Sequence, residues 1–88
     1  MRVAVVWKDY TDYSREVIDF LREFQRRTGK ELLSLDPDTR EGESFARVYD
    51  IVRYPTIIAV ADDGKEQKRW MGMPLPMINE VSFYTLGG

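Results

Sequence analysis

Apolar residues along the chain fall into three short runs and three spaced patterns. Val3 to Trp7 is an unbroken β-branched and aromatic run closed by Lys8-Asp9. A run with no polar alternation predicts a strand buried on both faces of a sheet. Tyr13, Val17, Phe20, Leu21 and Phe24 recur at helical spacing, with Arg15, Glu16, Asp19, Arg22, Glu23, Arg26 and Arg27 on the other side. This predicts an amphipathic helix with Thr11 or Asp12 capping its start and Gly29 as the left-handed residue past its end. Glu31 to Leu35 reads as a second strand stopped by Asp36-Pro37-Asp38, and a helical crossover between the two strands makes them parallel. Phe45, Val48, Tyr49 and Val52 follow i, i+3, i+4, i+7, which predicts a second helix over Glu43 to Asp50 with these four facing inward. Thr56 to Val60 is a buried strand, and Asp62-Asp63-Gly64 turns the chain into Lys65 to Met71, giving an antiparallel hairpin. After Gly72, Pro74 and Pro76, Met77 to Tyr84 predicts a terminal helix with Ile78 and Val81 toward the core. The order is βαβαββα in one α/β domain spanning 1–88, with no repeat, linker or low-complexity segment.

Composition narrows the chemistry. The 88 residues are 43% hydrophobic and contain neither cysteine nor histidine. Without Cys there is no disulfide, thiolate nucleophile or iron–sulfur cluster, and without His no imidazole base or ordinary zinc site. Carboxylates, hydroxyls, amines and aromatics remain. Thirteen basic against fifteen acidic residues, interspersed, give a net charge of −2. That balance argues against a nucleic-acid or membrane-surface partner. The apolar run at the start is too short for a signal peptide and none reaches membrane-spanning length, so a cytoplasmic location is expected.

Two segments carry a family resemblance. Trp7-Lys8-Asp9-Tyr10-Thr11-Asp12-Tyr13-Ser14 is similar to the active-site segment of the thioredoxin superfamily, where a Trp ends a strand, an aromatic precedes the pair and a CxxC opens the helix. Thr11 and Ser14 occupy the two cysteine positions. Ala46-Arg47-Val48-Tyr49-Asp50-Ile51-Val52-Arg53-Tyr54-Pro55-Thr56 resembles the family's A-x-x-Y-x-[IV]-x-x-x-P-T, whose proline is cis and faces the start of that helix. Asp63-Gly64-Lys65 and Met71-Gly72 match the hairpin and glycine loop beyond it. The resemblance covers Val3 to about Val81 and implies a thioredoxin-like fold: a four-stranded mixed sheet in the order 2-1-3-4, helices on both faces and a cis bond before Pro55. The match begins at the central strand of full thioredoxins, which implies the minimal, glutaredoxin-like core. Val5 stands where thioredoxins carry a buried acid that relays a proton to a thiol.

The degenerate motif Thr11, Asp12, Tyr13, Ser14 offers hydroxyls only, and these are poor nucleophiles without an adjacent base. Lys8 is the nearest amine. Capping the helix is the role expected of Thr11 and Ser14, so no catalytic residue, cofactor or metal is assigned. Binding fits better. The resemblance implies a groove that takes an extended peptide by strand addition, formed by Trp7, Tyr10, Tyr54, Pro55, Thr56, Met71, Gly72 and Met73. The aromatic and thioether side chains suit adaptable contacts. The partner is then an unidentified protein or peptide, or a second copy of the chain. One alternative is a glutathione-transferase-like site in which the hydroxyl of Thr11 or Ser14 holds a thiol ligand. Another is a thiol–disulfide oxidoreductase whose cysteines have been replaced. Asp9, Asp12, Asp36 and Asp38 gather at strand ends and have the oxygen chemistry for Mg²⁺ or Ca²⁺, but turn and cap roles account for them. Arg22, Arg26 and Arg27, interleaved with Asp19 and Glu23, read as a solvated helix face. Of the two sheet edges, Lys65, Lys68 and Arg69 blunt the fourth strand, while Leu32-Leu33 leaves the second less protected.

Overall fold

The structure, a computed structural model, describes residues 1–85. Four strands, β1 (Arg2–Val6), β2 (Leu33–Leu35), β3 (Thr56–Val60) and β4 (Glu66–Met71), form one mixed sheet in the order β2-β1-β3-β4. β1 is parallel to β2 and antiparallel to β3, which is antiparallel to β4. Helices α1 (Ser14–Thr28), α2 (Arg40–Val48) and α3 (Ile78–Phe83) cover it. The predicted order and sheet topology are therefore observed.

The alternation of side chains along β1 and β3 divides the core in two. Val3, Val5, Ile57 and Ala59 point to one face, where they pack with Val17, Phe20 and Phe24 of α1 and Val81 of α3. Ala4, Val6, Ile58 and Val60 point to the other, against Leu35, Ala46 of α2 and Ile51. Both faces need apolar residues, so these strands show no polar alternation. Among the described residues no helix is long and apolar enough to cross a membrane.

Helix α1 ends as expected, with Gly29 left-handed at φ 72° and its N–H on the Gln25 carbonyl. Its start differs. Tyr13 is the N-cap and no side chain caps the first turn. Thr11 and Asp12 lie too early, because the first backbone bonds run from Ser14 N–H to the Thr11 carbonyl and from Val17 N–H to the Tyr13 carbonyl.

Helix α2 departs further from its predicted form. It starts at Arg40, where Thr39 Oγ1 accepts the Gly42 N–H at 3.1 Å, and it stops at Val48. Asp50 takes the left-handed conformation at φ 54°, and Ile51 N–H returns to the Ala46 carbonyl at 2.8 Å. This closure is of the Schellman type and turns Ile51 into the core. Val48 and Val52, expected inward, are instead 74% and 82% exposed. The small residues Gly42 and Ala46, one turn apart, supply the packed face and let the helix sit close to the sheet. β2 is also shorter than predicted. Arg69 ties the end of α2 to β4, donating from its guanidinium to the Tyr49 carbonyl at 2.5 Å and to Glu66 at 2.9 Å, while Tyr49 Oη donates to the Gly64 carbonyl at 2.8 Å.

Gly42 has no room for a side chain, since a Cβ there would lie 1.8 Å from the Asp36 carbonyl oxygen. That oxygen is itself fixed, accepting from Thr39 N–H and Oγ1. Gly42→Ala should therefore cost about 1–3 kcal/mol through overpacking, read as a lower urea midpoint; an unchanged midpoint would mean that the β2–α2 turn yields freely. Glu23 accepts from Arg26 and Arg27 on the exposed face of α1. Its carboxyl is lowered from 4.5 to about 2, first by the hydrogen bond from Arg26 and next by that from Arg27. A folded-state value below the unfolded one adds stability that is complete above pH 4.5 and lost as pH falls toward 2. Solvent screening keeps the contribution small. Glu23→Gln should flatten the stability–pH curve in that window and leave its neutral region nearly unchanged, as followed by thermal melts across pH.

Candidate functional site

The strand registers bring three loops to one end of the sheet. Val6, the last residue of β1, lies opposite Thr56, the first of β3, and Thr56 lies opposite Met71, the last of β4. Segments 7–14, 53–56 and 71–73 are therefore neighbours. The Gly72 N–H donates to the Pro55 carbonyl at 2.7 Å, and the Lys8 ammonium sits 5.5 Å from the centre of the Tyr54 ring. Lys8 also lies 3.6 Å from Asp38, so it links the first loop to the second and to the β2–α2 turn. Sequence reasoning noted Lys8 only as an amine near the hydroxyls; its bridging position depends on the register of distant strands. Gly72 is left-handed at φ 73°, and a Cβ there would press on the Arg53 side chain at 3.2 Å. The peptide bonds preceding Pro55 and Pro74 are cis.

Within the first loop the polar groups turn inward. Tyr13 Oη accepts the Lys8 N–H at 2.9 Å, and its ring packs against the α1-side core. Thr11 Oγ1 donates to the Lys8 carbonyl at 3.1 Å and Ser14 Oγ to the Thr11 carbonyl at 2.9 Å. A hydroxyl has one proton. Both protons are thus committed to backbone carbonyls, and neither is free for a thiolate ligand. Asp12 is exposed. Asp9 Oδ1 accepts the Tyr10 N–H and Asp36 Oδ1 the Asp38 N–H, both as turn residues. Among the described residues no three carboxylates approach closely enough to hold a metal ion.

The eight groove positions separate by exposure. Trp7 is half-buried against the α1-side core and its indole N–H donates to Ser34 Oγ at 2.8 Å. Pro55 and Thr56 are buried, and Thr56 Oγ1 donates to the Arg53 carbonyl at 2.6 Å. Tyr54 and Gly72 are intermediate. Tyr10 is 97% exposed with left-handed backbone at φ 60°, and Met71 and Met73 are open to solvent. Among the described residues neither the N–H nor the C=O of Tyr54 has a hydrogen-bond partner. Sequence reasoning missed Val52, another exposed apolar side chain two residues before Tyr54, because periodicity assigned it to α2.

Comparison with solved structures places this architecture. Over 98% of its length the chain is similar to thioredoxin 1 of Thermosipho africanus, at TM-score 0.65 and 17% identity, covering 91% of that chain. It is similar to mitochondrial thioredoxin 3 of Saccharomyces cerevisiae in the oxidized form, at TM-score 0.67 and 13% identity, over 92% of this chain and 72% of that one. Fasciola hepatica thioredoxin matches at TM-score 0.61 and 22% identity, over 97% and 77%. No protein-family model and no curated protein matches the sequence. The chain has the thioredoxin-like fold. Its 88 residues hold no cysteine, so the dithiol chemistry of a CxxC motif has no sulfur here on which to run.

The turn from Thr11 to Ser14 keeps the two Cα atoms within the ~7 Å of a hydrogen-bonded turn, inside or near the span that a disulfide bridges. The Thr11→Cys/Ser14→Cys double variant should therefore form an internal disulfide when treated with diamide. The loss of two hydrogen atoms by mass spectrometry checks it. Thiols that remain free and alkylatable would show that this loop has left dithiol geometry.

Proposed function

We propose that this is a redox-inactive thioredoxin-like domain that binds an extended protein or peptide segment across the loops at this end of the sheet. The contact surface is Tyr10, Tyr54 and Met71–Met73, with Trp7, Pro55 and Thr56 as its floor. The unpartnered backbone of Tyr54 carries the reading: an N–H and a C=O without partners among the described residues, flanked by exposed aromatic and thioether side chains. A buried or half-buried amide and carbonyl need partners, and an extended segment supplies both by strand addition. Met71, Met73 and Tyr10 then give adaptable apolar contact on either side. The lack of cysteine makes this binding without exchange chemistry. A hydroxyl-held thiol ligand is the weaker reading, because the protons of Thr11 and Ser14 already serve the backbone.

The test is selection of random peptides displayed on phage, followed by titration of the enriched peptide into labelled protein. Amide shifts should centre on Tyr10, Tyr54 and Gly72. Tyr10→Ala and Met73→Glu, both at exposed positions, should each weaken binding by roughly 10-fold or more, the usual size for a contact anchor. Enrichment of nothing, or of peptides indifferent to both substitutions, would overturn the reading. Glutathione titrated to millimolar concentration should leave the Thr11 and Ser14 amides unmoved.

A further inference from the structure

Three cavities border one short strand, β2, well away from the loops described above. On the α2 face, Leu33 and Leu35 line a cavity of about 540 Å³ that also takes in Phe45 and Val48 of α2 and runs across Arg2 of β1 to Val60 and the β3–β4 turn. On the opposite face, Leu32 and Ser34 line one of about 350 Å³ with Leu21 and Arg22 of α1. A third, of about 600 Å³, lies at the start of the strand between Leu32, Arg2, Lys30 and Glu31.

Among the described residues β2 has a neighbour on one side only. Val5 lies opposite Ser34, and Trp7 N–H donates to the Leu35 carbonyl at 3.0 Å. In a parallel ladder this alternation points the amides and carbonyls of Leu33 and Leu35 toward β1 and those of Ser34 toward the open edge. Unsatisfied backbone on an edge, with a cavity on each face to receive alternate side chains, is the geometry of strand addition.

We infer that the occupant of this edge is the β2 strand of a second copy of the chain, antiparallel about a two-fold axis at Ser34. Self-complementarity selects it. The two Ser34 residues exchange N–H to C=O bonds, and Leu33 falls opposite the partner's Leu35 on the α2 face. There Val48, 74% exposed, covers the seam from each side. The charges agree too. Arg2, Lys30 and one acid, Glu31, stand at the beginning of the edge, and Asp36, Asp38 and Glu41 at its end, where Lys8 lies 3.6 Å from Asp38. A two-fold axis reverses the ends, so the mainly basic end of each copy meets the acidic end of the other and Lys30 falls on the side of the partner's Asp38. Within the chain these two make only surface contacts, Lys30 Nζ to the Thr85 carbonyl and Asp38 to Lys8. β4 has no such pattern, since Lys65 and Lys68 lie along an edge whose acid, Glu66, is held by Arg69. Self-pairing of this kind is isologous and closes at the dimer.

Sedimentation velocity on the full chain, from ~10 μM to ~1 mM, tests it across the range expected of a small interface. A monomer–dimer equilibrium should appear. Val48→Glu, at a position already in solvent, should abolish the dimer with an unchanged circular dichroism spectrum. Lys30→Glu should raise the dimer Kd by roughly 5-fold or more, and adding Asp38→Lys should return it to within about 3-fold of the original value. Rescue by charge reversal is an effect that a fault in folding would not produce. A chain monomeric at ~1 mM overturns the inference and leaves the edge to other partners. A dimer indifferent to Val48→Glu and Lys30→Glu overturns it equally, by placing the contact elsewhere.

Discussion

The antiparallel pairing of β1 with β3 is the constraint on which the rest depends. Five residue pairs, from Arg2↔Val60 to Val6↔Thr56, lock the two strands along their whole length. Val3 to Val6 and Thr56 to Val60 are buried on both faces, and each fully buried Val or Ile contributes about 1.5–3 kcal/mol by leaving water. A slip of one residue would send every side chain to the opposite face and mismatch both core layers at once. The register is therefore rigid. It also assembles the candidate site, since pairing Val6 with Thr56, and Thr56 with Met71, brings three loops from distant parts of the chain to one end of the sheet.

The first of those loops keeps its shape without any sulfur. Tyr13 Oη holds the Lys8 amide, Thr11 Oγ1 the Lys8 carbonyl, and Ser14 Oγ the Thr11 carbonyl. Each bond exchanges a water partner for a protein one and so contributes about 0.5–1.5 kcal/mol. Together they define the path into α1. Thr and Ser at the two motif positions act as struts of the loop, and their reactivity is irrelevant to it. These hydroxyls offer no dithiol chemistry, and they leave a formed surface beside Tyr54 and Gly72.

Strands and α1 were legible in the sequence because their signal is burial itself. An uninterrupted run such as Thr56 to Val60 has one physical explanation, and the stripe Val17, Phe20, Phe24 another. Helix α2 was harder to read. Its inward face is Gly42 and Ala46, residues with little hydrophobic signal, while Val48 and Val52 mimic the period and face water. The helix also ends at a left-handed Asp50, where sequence statistics favour glycine, so its stop was hidden. The site divides in the same way. The motif positions were visible as a string, but exposure was not: Tyr10 and Tyr13 stand three residues apart, one almost fully in solvent and the other anchored by its phenol. Only the direction of the loop, fixed by the left-handed backbone at Tyr10, separates them.

The two edges of the sheet show how differently one fold can treat unpaired backbone. β4 carries Glu66, Lys68 and Arg69, and Arg69 reaches across to carbonyls at the end of α2. That arrangement joins the hairpin to the helix and places a desolvation cost on any strand that would add there. On β2 the three strand residues include no charge, and cavities lie on both faces. A domain of this size has little core to spare. A partner that binds only the folded state stabilises it by mass action, and in the proposed pairing each copy would do so for the other. The β2 edge, whose free backbone at Ser34 bonds water while bare, is then coherent with the short strand that leaves it exposed.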